Sequence, residues 1–391
     1  MSIELFHQCG HNPNWNITSF SKHGCGDGLI LSPVHLDRGR IEKLPEKLRA
    51  ASLFDPQFYL PSSQKRKLST YEFFPEVITQ GFTTIDFMQV AKKSALDCVA
   101  FQHEMGFRGI VIPTRYIDQM RTDFIEQQEA YAVLPFLEAI EGLNVEQPVY
   151  LTLALTGAMI TDKGYRTQLL NWATSHPRID GLYLVPCIER SGKQVDDAEA
   201  LADLLFLVAE MEAIGLKVVV GYLNTEALLL TLVDGVGVTM GSFENTRLFS
   251  VDKFMQNEEE RRGPKARIYL PRLLSWIQFS QAKDISEHSP KLWREIYTAT
   301  TEADAALAQV KDPSFNQPPL YYHHFRCMTQ QIQELSDLSG DDRFSRLDQM
   351  ISLAIQLHQK ICESNISLDK HSRGDYLPAW QAAIRRYWNS C

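Results

Sequence analysis

Three groups of residues carry chemistry in this chain. Arg38, Arg40, Arg115, Arg190 and Arg247 each stand just beyond a short apolar run of the kind that forms a buried strand. A guanidinium presents a planar fork of donors that grips phosphate or carboxylate with two bonds, so arginines at these equivalent positions point to an anion site. Gly241 and Ser242 follow the last of the runs and would add backbone N–H groups if a helix began after them. Tyr222, closing the seventh run, joins them as a ligand-binding candidate. The second group is acidic. Asp37, Glu189 and Glu244 are placed for acid–base or nucleophilic work, though each has an arginine nearby in sequence that would equally hold it in an ion pair. The third group is His7, Cys9, His11, His23, Cys25 and His35. A catalytic zinc takes about three converging protein ligands, but between His103 and His288 only His176 is a histidine. The expectation is therefore no metal and no cofactor. No Gly-x-Ser-x-Gly nucleophile turn is present, and Cys187 reads as a thiol lining the interior.

Eight apolar runs must position these groups: 3–7, 28–32, 57–60, 109–113, 149–155, 181–186, 217–222 and 236–240. They are continuous rather than alternating, as in strands buried on both faces of a parallel sheet. Segments 85–105 and 196–214 have helical period, the first opening at Thr84 as an N-cap and the second closing at Gly215. Strand and helix in alternation, with eight strands, predict an α/β fold, a closed (β/α)8 TIM-type barrel. A doubly wound sheet would carry a glycine-rich loop after an early strand, whereas Cys25-Gly26-Asp27-Gly28 precedes one. Beyond residue 266 the segments 267–279, 292–308, 328–335, 346–362 and 377–388 are helix-like, with no strand between them. The expected organisation is a barrel over 1–265 and a helical extension over 266–391. Loops after the strands carry the chemistry of such barrels, which would gather the arginines and acids on one rim.

Composition narrows the setting. The chain has 391 residues, 44% hydrophobic and 22% charged, and no apolar run reaches the roughly 18 residues of a membrane span. Residues 1–5 lack a basic region followed by an apolar one. Seven scattered cysteines suit a reducing compartment. A cytoplasmic protein without membrane contact is expected. A net charge of −9 argues against a general nucleic-acid coat, though not against a local basic site.

One stretch resembles the tRNA-guanine transglycosylases, (β/α)8 enzymes that exchange a guanine for a deazaguanine base. It comprises Val220-Gly221-Tyr222-Leu223-Asn224-Thr225-Glu226-Ala227-Leu228, then Gly235-Val236, Thr246-Arg247 and Ala266-Arg267-Ile268-Tyr269-Leu270-Pro271-Arg272-Leu273. The departures are pointed. Where the family carries an aspartate nucleophile this chain reads Gly237-Val238-Thr239-Met240, and Glu258-Glu259-Glu260-Arg261-Arg262-Gly263-Pro264 replaces its zinc-binding cysteines. The family's base-binding Asp-Ser-Gly is not recognisable. The resemblance implies a diverged barrel that binds a purine or deazaguanine base or a nucleic-acid phosphate, with base transfer altered or lost. Two other readings stay open: a non-catalytic scaffold or partner-binding subunit of a multi-protein system, and a metal-dependent hydrolase. The C-terminal helical region is the expected surface for a protein partner.

Overall fold

The computed structural model describes residues 2–74, 84–255, 263–309 and 311–390, with the backbone alone for 84–89. Eight strands form one sheet: β1 Glu4–Gln8, β2 Gly28–Leu31, β3 Leu53–Phe54, β4 Ile110–Ile112, β5 Val149–Thr156, β6 Gly181–Cys187, β7 Lys217–Val220 and β8 Gly237–Gly241. The order is β3-β2-β1-β8-β7-β6-β5-β4, every pairing is parallel, and β1 joins β8 from Glu4↔Gly237 to Gln8↔Gly241. The result is a (β/α)8 barrel lacking one ladder among the described residues, that between β3 and β4. Two backbone bonds bridge this seam beyond the strand ends, Arg108 N–H to Ser52 C=O and Tyr116 N–H to Tyr59 C=O, each 3.0 Å.

The seam has a cause in the sequence. Pro56 and Pro113 follow the two short strands closely, and a proline offers no N–H to a ladder. Gln57 then takes a left-handed φ of 59°. The strand expected at 57–60 is therefore a loop, and the true third strand is Leu53–Phe54. The helix Ala198–Ala213 starts at Asp197, whose carboxylate accepts from the Glu199 and Ala200 N–H groups, and is followed by Gly215 at φ 91°. The side-chain cap expected at Thr84 lies outside the described residues.

The C-terminal part holds the helices Pro318–Ser336, Gly340–Glu363 and Leu377–Trp388. Segment 292–308 is broken into Pro290–Ile296 and Thr301–Leu307. The expected helix at 267–279 is instead an antiparallel hairpin, β9 Arg267–Leu270 and β10 Ser275–Gln278, turning at Pro271 and at Leu274 with φ 51°. Its side chains alternate as a strand's must. Tyr269 and Trp276 join the barrel's core, while Ile268, Leu270 and Ile277 join a second core under the C-terminal helices. Further ties hold this part to the barrel. Buried Arg343 donates to Thr231 C=O and Asp234 from the barrel side and to Leu335 and Leu338 C=O from its own. The Trp380 indole donates to Val195 C=O at 2.8 Å.

Several buried imidazoles set an acid limit on this fold, His7 and His358 among them. His7 on β1 donates through Nε2 to Cys25 C=O at 2.9 Å, and burial pulls its pKa down to about 4. His358, against Leu273 C=O, is likewise pulled down by burial to about 4. Unfolded, both titrate near 6.5. Between the two values the unfolded chain binds more protons, so stability is complete above pH 6.5 and is lost as pH falls toward 4. Each residue contributes on the order of 3 kcal/mol to that loss. Urea unfolding measured from pH 7.5 to 4.5 should show this fall, and His7→Gln, which can still donate to Cys25, should make it shallower. An unchanged slope in that variant would mean His7 is not held neutral.

Candidate functional site

Parallel strands bring every strand-end loop to one rim, and its centre is polar and buried. Gln8 at the end of β1 accepts from the Tyr183 hydroxyl at 3.1 Å and from Tyr222 N–H at 3.3 Å. Asp55, just past β3, accepts from Gln57 N–H and from the Tyr59 hydroxyl, each at 3.0 Å, and the Tyr222 hydroxyl is a further partner. Gln57 Nε2 donates to the Tyr222 hydroxyl at 3.0 Å. Gln57 and Tyr222 both have left-handed φ, 59° and 55°. That conformation costs a side-chain-bearing residue roughly 1–2 kcal/mol. Strain of this kind gathers at sites with a function.

The chain after β8 folds back over this centre. A Cβ on Gly10 would lie 2.1 Å from Thr246 Cγ2, and one on Gly241 would lie 2.3 Å from Thr246 Oγ1, so two missing side chains seat one threonine. Past it, Phe249 packs on Tyr59, Tyr116 and Tyr222 at ring distances of 4.9, 5.3 and 5.4 Å. Ser63 Oγ donates to Phe254 C=O at 2.6 Å. Between the two phenylalanines, Lys253 reaches inward. Its Nζ lies 3.5 Å from the centroid of Tyr222 and 5.1 and 5.0 Å from those of Phe249 and Phe254. No carboxylate among the described residues lies within 4 Å of it. The residue as a whole is only half-buried, entering from the rim.

Burial dominates the electrostatics here. It pushes the Lys253 ammonium well below the ordinary lysine value, with the Asp55 charge pulling back. Burial also raises Asp55 above the ordinary carboxylate range, against the pull of Lys253 and of the hydrogen bonds from Gln57, Tyr59 and Tyr222. His35 is held neutral, down to about 3, by burial and then by the nearby Lys253. The Cys187 thiol is pushed up by burial and is no thiolate.

Of the catalytic and ligand-binding candidates from sequence, Tyr222 alone stands in this centre, with His35 and Cys187 near its lysine. Asp37 caps the helix Arg38–Glu42 by accepting from Arg40 N–H at 3.0 Å. Arg38 pairs with Glu42 at 2.8 Å and Glu72 at 3.5 Å, and Arg40 donates to Asn14. Arg115 has its N–H and C=O pinned by the Gln128 side chain at 3.0 and 2.7 Å, beside a cleft lined by Phe58, Pro113 and Tyr131. Glu189 is exposed, and Glu244 pairs with Lys193 at 2.8 Å. Arg190 is not free for a ligand: it forms a buried pair with Glu226 at 2.9 Å. Gly241 makes room for Thr246, and Ser242 precedes only the single turn Glu244–Thr246, so no helix terminus offers N–H groups there. His7 has both ring nitrogens engaged, by Cys25 and Asn16. Among the described residues no three His, Cys, Asp or Glu side chains converge as metal ligands would.

Asp55, Gln57, Tyr59 and Lys253 were not among the sequence candidates. Placing the third strand too late hid Asp55, which stands directly after the true one. Lys253 has no local signal, because only the return of the chain over the rim brings it inward.

No family model matches this chain, and neither does any curated protein. Among solved structures it is similar to a putative dihydrodipicolinate synthetase from Pseudomonas aeruginosa, with TM-score 0.32 and 9% identity over 98% of both chains. It is also similar to YagE of E. coli, a prophage protein of the dihydrodipicolinic acid synthase family solved with pyruvate. There the TM-score is 0.24 and the identity 12%, over 78% of this chain and 82% of that one. At these scores the likeness adds nothing to the barrel already visible in the strands. The transglycosylase resemblance is not upheld: no family model matches this chain. The residues behind it have other duties here. Glu226 neutralises Arg190, Thr246 fills the space over two glycines, and 267–278 is a hairpin. The nucleobase expectation rested on that resemblance and loses its support with it.

The Arg190–Glu226 pair gives a prediction. Its side chains are 3% and 2% exposed, so Glu226→Gln leaves a buried cation unpaired and should cost about 3–5 kcal/mol. The rim pair loses far less: Glu244→Gln should stay within about 1 kcal/mol. Equal urea midpoints for the two variants would contradict the assignment.

Proposed function

We propose that the barrel is an enzyme of amine-dependent carbonyl chemistry, with Lys253 as nucleophile and Asp55 as its proton partner. The observation that carries this reading is the placement of Lys253 Nζ: deep in the mouth, 3.5 Å from the Tyr222 ring, with no carboxylate of the described residues within 4 Å. A lysine desolvated in an apolar pocket holds a free electron pair near neutral pH. That pair attacks a carbonyl carbon, a C–N bond forms, and the carbonyl oxygen takes a proton. Asp55, whose pKa burial raises, is the group suited to relay to that oxygen the two protons the nitrogen sheds, the second as water leaves and the imine forms. Tyr59 and Tyr222 hold Asp55 in place through their hydroxyls. Phe249 and Phe254 occupy much of the mouth, which favours a small aldehyde, ketone or 2-oxo acid. The same two rings favour a second reading, a plugged, non-catalytic barrel serving as a scaffold.

Borohydride trapping separates them. The protein is incubated with pyruvate, acetaldehyde or acetone and sodium borohydride, and reduced adducts are mapped by mass spectrometry. The enzyme reading expects an adduct on Lys253, lost in Lys253→Arg. In Asp55→Asn it should form about 10²–10⁴-fold more slowly, the usual share of a positioned acid–base group. Adducts spread evenly over surface lysines, with Lys253 silent, would favour the scaffold.

A further inference from the structure

Arg247, the residue after Thr246, points away from the mouth and into the joint with the C-terminal part. It is 9% exposed, and its guanidinium lies 4.1 Å above the Trp276 ring of β10. No carboxylate among the described residues lies within 4 Å of it. The two nearby acids are committed elsewhere, Glu226 to Arg190 at 2.9 Å and Glu244 to Lys193 at 2.8 Å. Arg190, Glu226 and Arg247 together thus bury one positive charge in excess.

Several buried polar atoms around that charge lack a hydrogen-bond partner, the two Glu226 carboxylate oxygens and Arg190 Nε among them. Arg247 Nε–H and Trp276 Nε1–H are buried without an acceptor. His324, from the helix Pro318–Ser336, packs on Trp276 at a ring distance of 4.5 Å, and neither of its buried nitrogens has a partner. Burial and the Arg247 charge keep this imidazole neutral, so one of its nitrogens carries a proton to give. The indole face takes up part of the cation's field, but its edge N–H, like the Arg247 Nε–H, has nothing to bond. Buried donors without acceptors are uncommon in folded proteins. A water molecule would satisfy such donors but would leave the charge unbalanced.

We propose that Arg247, Trp276 and His324 form a binding site for a small anion, of the size of chloride or a carboxylate group, between the barrel and its C-terminal part. The site is separate from the mouth and stands whether or not Lys253 is catalytic. It also keeps Arg247 in the role its sequence position suggested, with other partners than Arg190 and Gly241. An anion there would join the segment after β8 to β10 and to the helix Pro318–Ser336, so its occupancy should be felt as stability of the whole chain.

The test is thermal unfolding of the full chain at constant ionic strength. A bulky organic sulfonate salt is replaced stepwise by sodium chloride, acetate or phosphate. The parent should show a saturable rise in Tm, and the three salts tell whether chloride, a carboxylate or phosphate is preferred. Trp276→Phe keeps a ring under the guanidinium but removes one donor, and should move the half-saturating concentration up about ten- to a hundredfold. Arg247→Met should abolish the saturable rise, leaving the variant below the parent in the anion yet equal to it or above it in sulfonate, where the parent's buried charge is uncompensated. The proposal is overturned if the parent has one Tm in all salts, or if Trp276→Phe and the parent saturate together. That second comparison decides the matter even if Arg247→Met does not fold.

Discussion

Thr246 sits where Gly10 and Gly241 have no side chains, and the rim of the barrel is organised by that contact. A Cβ at either glycine would lie little more than 2 Å from the threonine side chain, far inside contact distance. With Thr246 seated, the chain after β8 is committed to two directions. Arg247 goes outward onto Trp276. Phe249, Lys253 and Phe254 go inward onto Tyr59 and Tyr222. An alanine at either glycine would lift the whole return segment and disturb both regions at once.

The inner region combines two things that a purely structural core avoids. It holds a lysine and an aspartate in a medium that disfavours both charges, and it keeps two bulky residues, Gln57 and Tyr222, in left-handed backbone. The hydrogen bond between those two residues, and their shared link to Asp55, hold the strained loops after β3 and β7 against each other. The strain is local and the surrounding barrel is well buried, so the scaffold carries it. This arrangement fixes Asp55 in the mouth, beside the open seam where no ladder joins β3 to β4 among the described residues.

Much of the barrel was legible in the chain because its long strands, β5 and β6 above all, are continuous apolar runs that no other fold element explains as well. The short third strand was not, since Leu53–Phe54 is too brief to register and the apolar residues after Pro56 drew attention to the loop instead. The hairpin was read as a helix because each of its strands has four residues, too few for a period of two to outweigh a period near four. Within the site, position after a strand was enough to find Tyr222. It misled for Arg190, whose partner Glu226 sits on a neighbouring loop, and for Asp37, which caps its own helix. Lys253 was beyond reach. Its role depends on a chain reversal set by glycines at the ends of two paired strands, Gly10 after β1 and Gly241 on β8, and nothing beside it in sequence announces that.

The claim on which the account turns is that Lys253 carries a free amine near neutral pH. Competitive trace acetylation, with each lysine's labelling followed by mass spectrometry from pH 5 to 11, measures this residue by residue. The account predicts that Lys253 labels with a midpoint well below the ordinary lysine value near 10.4, and that Asp55→Asn, which removes the charge favouring the ammonium, moves the midpoint lower still. A Lys253 that titrates with the surface lysines, or one unmoved by Asp55→Asn, would contradict it.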